Sequence, residues 1–150
     1  DHVGLNIKGL DKDNMPRSGD VMVYKSDTTL GETREFDAQV VVWDINHEIN
    51  VGQSLIGFVR CGRSSCRISK LKWKMGKETG GKRLEDPPSL KANEMALCSF
   101  QPSQPLICDT FKTCAGLSRV AFIGAEGLVM LGKVTSCERK HLCAADGTKT

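Results

Sequence analysis

Apolar residues along the chain fall in short runs rather than long periodic stretches. FDAQVVVWD (36–44), SLIGFVRC (54–61), MALCSF (95–100), PLICDTF (105–111), RVAFI (119–123) and GLVMLGKVTS (127–136) are rich in β-branched and apolar residues, and Gly, Pro, Asn or Ser separates them. Such spacing predicts an antiparallel barrel or sandwich. No segment sustains a helical period with caps at both ends. An earlier block, VGLNIKGL (3–10) and NMPRSGDVMVY (14–24), has the same character. Between the blocks, KSDTTLGETRE (25–35) is polar and turn-rich and reads as a linker between two β domains. The tail from about Arg139, ending ADGTKT, is small and polar and is expected to fray.

Charge changes this picture in one region. Residues 1–59 carry 5 Lys/Arg against 10 Asp/Glu, residues 60–91 carry 10 against 3, and residues 92–150 carry 6 against 5. The positive charge is therefore concentrated in RCGRSSCRISKLKWKMGKETGGKRLED, a distribution that suits an anionic partner or a solvated face. Read as a strand, residues 67–75 put Lys70, Lys72 and Lys74 outward, and Leu71, Trp73 and Met75 into the core. Alternate strand residues lie about 6.6–6.8 Å apart, near the phosphate spacing of a nucleic-acid strand. A lysine row without aromatic stacking partners implies contact with phosphate and sugar, hence recognition of the shape of folded RNA.

Other chemistries fit the same stretch less well. Cys61 and Cys66 are spaced C-x4-C and Cys137 and Cys143 C-x5-C, unlike the C-x2-C knuckles of zinc sites, and His2, His47 and His141 are scattered. Seven cysteines at irregular spacings, in a chain long enough to build a core, suit a reducing, cytosolic setting. GKETGGKR (76–83) matches a phosphate loop except that Arg83 replaces the magnesium-binding hydroxyl, and Pro87 and Pro88 forbid the helix that must follow. It reads as a glycine-rich hairpin loop, with Glu85 and Asp86 pairing with Lys82 or Arg83. No G-x-S-x-G, H-E-x-x-H or Cys–His arrangement indicates catalysis. No apolar run approaches the ~20 residues that cross a bilayer, so no membrane partner is expected.

Several segments in order resemble the C-terminal part of the eukaryotic elongation factor 1-alpha family of translational GTPases. VGLNIKGLDKDNMPRSGDVM resembles the end of that family's middle β-barrel, FDAQVVVWD the strand that opens its third domain, and KRLEDPPSLKANEMA the loop after the central hairpin. PLICDTF, GLSRVAF and LGKV complete the order, and CGRSSCRISKLKWKMGKETGGK is closest to the divergent elongation-factor-like branch.

The resemblance implies the end of a middle β-barrel at 1–25 and a six-stranded antiparallel Greek-key-type barrel at 34–138, while the polar composition makes 26–33 a linker and 139–150 a flexible tail. It implies delivery of aminoacyl-tRNA to the ribosome, a guanine nucleotide exchange factor as partner, cytoplasmic location, and an excerpt of a longer protein. GTP and magnesium would belong to a G domain outside this stretch, which itself would bind no cofactor and hydrolyse nothing. By motif, Arg60 falls where the family places a basic residue facing the T stem of tRNA, and Arg63 lies beside it. With the lysine row and the glycine loop, the candidate tRNA-binding set is Arg60, Arg63, Lys70, Lys72, Lys74, Lys77, Lys82 and Arg83. Ile123 and Glu126 replace arginines of the family and Gln104 a lysine, which shifts weight onto residues 60–83. The alternatives are the third domain of a release or rescue GTPase and a protein-interaction barrel for acidic partners such as actin.

Overall fold

A computed structural model describes residues 2–26, 30–77 and 79–139. Among these, the chain forms nine strands and one short 3-10 turn. The strands are β1 (Thr33–Val42), β2 (Ile49–Asn50), β3 (Ser54–Val59), β4 (Gly62–Met75), β5 (Leu84–Glu85), β6 (Ser89–Leu90), β7 (Met95–Pro102), β8 (Arg119–Gly124) and β9 (Gly127–Arg139). The order β3-β8-β9-β1-β7-β4, with β4 returning to β3, closes a six-stranded barrel with every ladder antiparallel. Closure removes the unpaired sheet edges that an open sheet of this size would leave. β5 adds to the outside of β4, and β2 pairs with β6 as a separate ribbon whose Ile49 and Leu90 join the same core.

Period-2 alternation builds the interior. On β1, Phe36, Ala38, Val40 and Val42 are buried, while Gln39 and Val41 between them face outward. Phe100 stacks between Phe36 and Phe122, with ring centroids at 5.4 and 4.3 Å. Gly132 has a packing reason to be glycine, because a Cβ there would stand 2.8 Å from Val40 Cγ1.

Three expectations are corrected. PLICDTF is not a strand: Leu106 and Cys108 are buried like strand residues, but Pro105 has no N–H to give. Outside side-chain contacts, the segment is tied by Thr33 N–H donating to Leu106 O and Asp109 N–H donating to Leu117 O, both at 3.0 Å. Residues 3–10 and 14–24 likewise form no strand. A strand needs a ladder partner, and among the described residues this segment makes local turn bonds, Asn14 N–H to Asp11 O and Asp20 N–H to Arg17 O. Its Leu5, Met22 and Tyr24 are exposed, although Gly19 packs tightly on Gly62. Arg139, placed in the frayed tail, instead ends β9 and its Nη2 lies 2.9 Å from Asp109 Oδ1. The rest of that tail, 140–150, and linker residues 27–29 lie outside the described residues.

Candidate nucleic-acid interface

β4 carries most of the candidate residues, and its ladder with β7 is interrupted twice, between Ile68 and Lys70 and between Leu71 and Trp73. Each irregularity adds one residue opposite β7 and reverses which side the following residues face. The buried positions therefore run Ser64, Cys66, Ile68, Leu71, Lys74. The expected outward lysine row does not exist: Lys74 points into the barrel, its side chain 6% exposed, while Trp73 and Met75 are only half-buried.

Each lysine of that row also meets a carboxylate of the chain. Lys70 Nζ lies 3.9 Å from Asp86 Oδ1 in an open setting. Lys72 Nζ donates to Asp37 Oδ2 at 2.6 Å, and Asp37 Oδ1 accepts from Ser99 Oγ at 2.6 Å. Lys74 Nζ donates to Glu94 Oε1 at 3.4 Å and lies 3.2 Å from Oε2, which accepts no aligned hydrogen bond. Glu94 Oε1 also accepts the Lys91 N–H. Two of these lysines are thus held by partly or fully buried acids, and a polyanion would have to displace them.

The glycine-rich stretch turns β4 back into β5, which pairs Leu84 with Lys74 and Glu85 with Trp73. Within the turn, Gly76 N–H donates to Thr79 Oγ1, and that hydroxyl donates to Gly76 O, both at 3.0 Å. Lys77, Lys82 and Arg83 are exposed. Arg83 stacks its guanidinium 4.6 Å over the Trp73 ring. Asp86 takes Lys70 as its partner rather than Lys82 or Arg83.

At the opposite end of β4, Arg60 and Cys61 form the two-residue turn from β3, closed by the Val59–Gly62 pair. Arg60 has φ 56°, left-handed backbone that a two-residue hairpin demands and that costs a residue with a Cβ about 1–2 kcal/mol. A bulky residue kept there marks a functional hypothesis. Its Nε donates to Gly116 O at 2.9 Å, in the 3-10 turn Ala115–Leu117. Arg60, Ala115, Gly116 and Arg119 line one shallow cleft. Arg119 on β8 stands opposite Lys133 on β9, and Lys133 Nζ lies 3.7 Å from the centre of the Phe111 ring. Arg63 is exposed two residues beyond the turn, opposite Phe58.

Among the described residues, none of Arg60, Arg63, Arg119 and Lys133 has a carboxylate within ion-pair distance. Among the described residues, positive charge without a carboxylate partner thus gathers at the β3–β4 turn and the adjoining β8–β9 surface, and also at exposed Lys77, Lys82 and Arg83 of the glycine-rich turn. The sequence reading missed Arg119 and Lys133, since the residues around each are not basic and only the β8–β9 register sets the two side by side. A Cβ at Gly116 would stand 2.8 Å from Arg60 Nη2, the far end of a flexible side chain. Gly116→Ala is therefore expected to change stability by less than about 0.5 kcal/mol while freeing the Arg60 side chain, seen as loss of slow-exchanging Arg60 Nε–H in NMR.

The cysteines of this region do not form a pair. Cys61 is exposed in the turn, whereas Cys66 is buried, donates to Ser64 O at 3.5 Å and is pushed up to about 12 by burial. Among the described residues no group of three or more His, Cys, Asp or Glu is placed to hold a metal ion. No helix among them is long and apolar enough to cross a membrane.

The model of the family described as GTP-eEF1A C-terminal domain-like matches residues 35–135, the closed barrel just described. The chain belongs to this family. Elongation factor 1-alpha of Methanocorpusculum labreanum is 32% identical to it over 143 residues, covering 95% of the chain and 33% of that protein. The oocyte form of elongation factor 1-alpha from Xenopus laevis is 25% identical over 150 residues, covering the whole chain and 32% of that protein. The chain therefore spans about a third of the length of the curated relatives it matches. Among solved structures, sup35 complexed with GDP superposes with a TM-score of 0.65 over 74% of the chain and 27% of that protein, at 16% identity. That likeness carries the eEF1A-type barrel fold alone.

Proposed function

We propose that this chain is the C-terminal barrel of a translation elongation factor GTPase, and that it binds aminoacyl-tRNA through the β3–β4 turn while packing against the rest of the protein. The observation that carries the reading is Arg60: an arginine in left-handed backbone, held by Gly116 O and free of any carboxylate among the described residues. Nε is spent on Gly116, which leaves the terminal nitrogens as a pre-oriented fork for one phosphate. Arg63 supplies a second cation on the same turn. Such contacts position an RNA helix by its backbone and carry no base sequence.

The wider reading follows from the elongation factor 1-alpha relatives. GTP and magnesium would be held by a G domain outside this chain, and the ribosome, an exchange factor and the cytoplasm would be its setting. An acidic protein partner such as actin finds less support on the β4 face, because Lys70, Lys72 and Lys74 there are engaged by Asp86, Asp37 and Glu94.

The test is binding of a short RNA hairpin mimicking the T stem, measured across salt concentrations. Arg60→Gly keeps the backbone the turn needs, and combined with Arg63→Ala it is expected to lower the salt slope by about 0.7–0.9 for each lost phosphate contact and affinity roughly 10-fold or more. Unchanged affinity and slope overturn the assignment of these two arginines.

A further inference from the structure

Cys108 and Cys137 stand with their sulfurs 3.6 Å apart, 29 residues apart in sequence. The geometry points to a thiol pair that peroxide converts to a disulfide, tying the ladderless 105–111 segment to the end of β9. Four observations place the chemistry here. The sulfurs are already in contact, so forming a bond needs only a small approach. Cys108 lies on a segment with no ladder on either side, so local opening to admit a molecule as small as hydrogen peroxide is inexpensive although Cys108 is fully buried. Its surroundings favour the thiolate: Cys137 and the Thr33 hydroxyl, 3.2 Å away, hydrogen-bond to it and Arg139 stands near, against burial and Asp109. Cys66 and Cys98, in contrast, are pushed up to about 12 by burial and stay protonated.

In the first step Cys108 Sγ, having lost its proton, attacks one oxygen of hydrogen peroxide. The O–O bond breaks and the departing hydroxide takes up that proton as water, leaving a sulfenic acid on Cys108. Cys137 Sγ, held protonated by its contact with Cys108, then attacks the Cys108 sulfur. The S–S bond forms, the S–O bond breaks, and the second hydroxide leaves with the Cys137 proton as water. Two thiols are oxidised by two electrons and one peroxide is reduced to two waters; a thiol reductant reverses the change.

The consequence reaches the Arg60 turn. Asp109 N–H is bonded to Leu117 O, and Gly116 beside it holds Arg60. Stapling Cys108 to β9 stiffens that support.

The experiment treats the full 150-residue chain with hydrogen peroxide, alkylates the remaining thiols in denaturant and maps the peptides without reduction. A peptide linking Cys108 to Cys137, two hydrogens lighter than its parts and lost on reduction, is expected. Hydrogen exchange across 105–117 is expected to slow at least tenfold in the oxidised protein. In Cys137→Ser, a change at a half-buried position, dimedone added with peroxide is expected to label Cys108. Separate alkylation of Cys108 and Cys137 under peroxide that modifies exposed Cys61, a link from Cys108 to Cys66, or no dimedone on Cys108 in Cys137→Ser each overturns the proposal.

Discussion

Lys74→Met is expected to cost about 3–5 kcal/mol in urea unfolding, the range for removing one partner of a buried ion pair. Lys74 and Glu94 have side chains only 6% and 5% exposed, so neither charge has water to fall back on. Methionine fills the space of the lysine stem but leaves the Glu94 carboxylate, among the described residues, with the Lys91 N–H as its remaining hydrogen-bond donor. The double variant Lys74→Met with Glu94→Leu removes both charges and is expected to recover most of the loss. Recovery stops short by about 1 kcal/mol, because Glu94 Oε1 also accepts the Lys91 N–H across the 91–94 turn and that hydrogen bond is lost with it. A midpoint shift below about 1 kcal/mol for Lys74→Met would show that water reaches the pair and that the lysine is in effect a surface residue.

The same lysine shows where reading the chain alone stops. Facing Leu71, Trp73 and Met75 inward together places Lys74 outward, but the two bulges opposite β7 flank Leu71, so Leu71 alone of that trio is fully buried and Lys74 returns to the inward parity of Cys66 and Ile68; neither bulge leaves a local mark in RISKLKWKM. Runs such as FDAQVVVWD and RVAFI were legible because each has a ladder on both sides and an interior to fill, so the period of two survives into the structure. PLICDTF keeps that period, burying Leu106 and Cys108, without any ladder; apolar alternation reports which residues face a core, and pairing must be supplied by neighbours. The glycine hairpin at 76–83 was legible from Gly76, Gly80 and Gly81, of which the last two take positive φ. The basic surface was legible at Arg60 and Arg63 and invisible at Arg119 and Lys133. Those two come together only through the β8–β9 register, and Arg119 reaches the Arg60 cleft only because β8 also pairs with β3.

Phe100→Ala is expected to cost about 3–5 kcal/mol and to be the most damaging apolar truncation in the barrel. Phe100 lies on β7, opposite Phe36 of β1 in one ladder and Ile68 of β4 in the other. Its ring also stacks at 4.3 Å on Phe122 of β8, two strands beyond β1 in the closed order β8-β9-β1-β7. Truncation thus removes contacts to both neighbouring strands and to the more distant β8, and a closed barrel cannot collapse one wall to fill the gap without shifting its ladders. Phe100→Leu keeps most of the volume and is expected to cost less than about 1.5 kcal/mol. Because the rings touch, Phe122→Ala in the Phe100→Ala background is expected to cost less than in the wild type, with a coupling of about 0.5–3 kcal/mol. Urea unfolding of the four proteins measures the cycle. Strictly additive losses would mean that Phe100 and Phe122 pack independently, and that the stacked row does not join the two sides of the barrel.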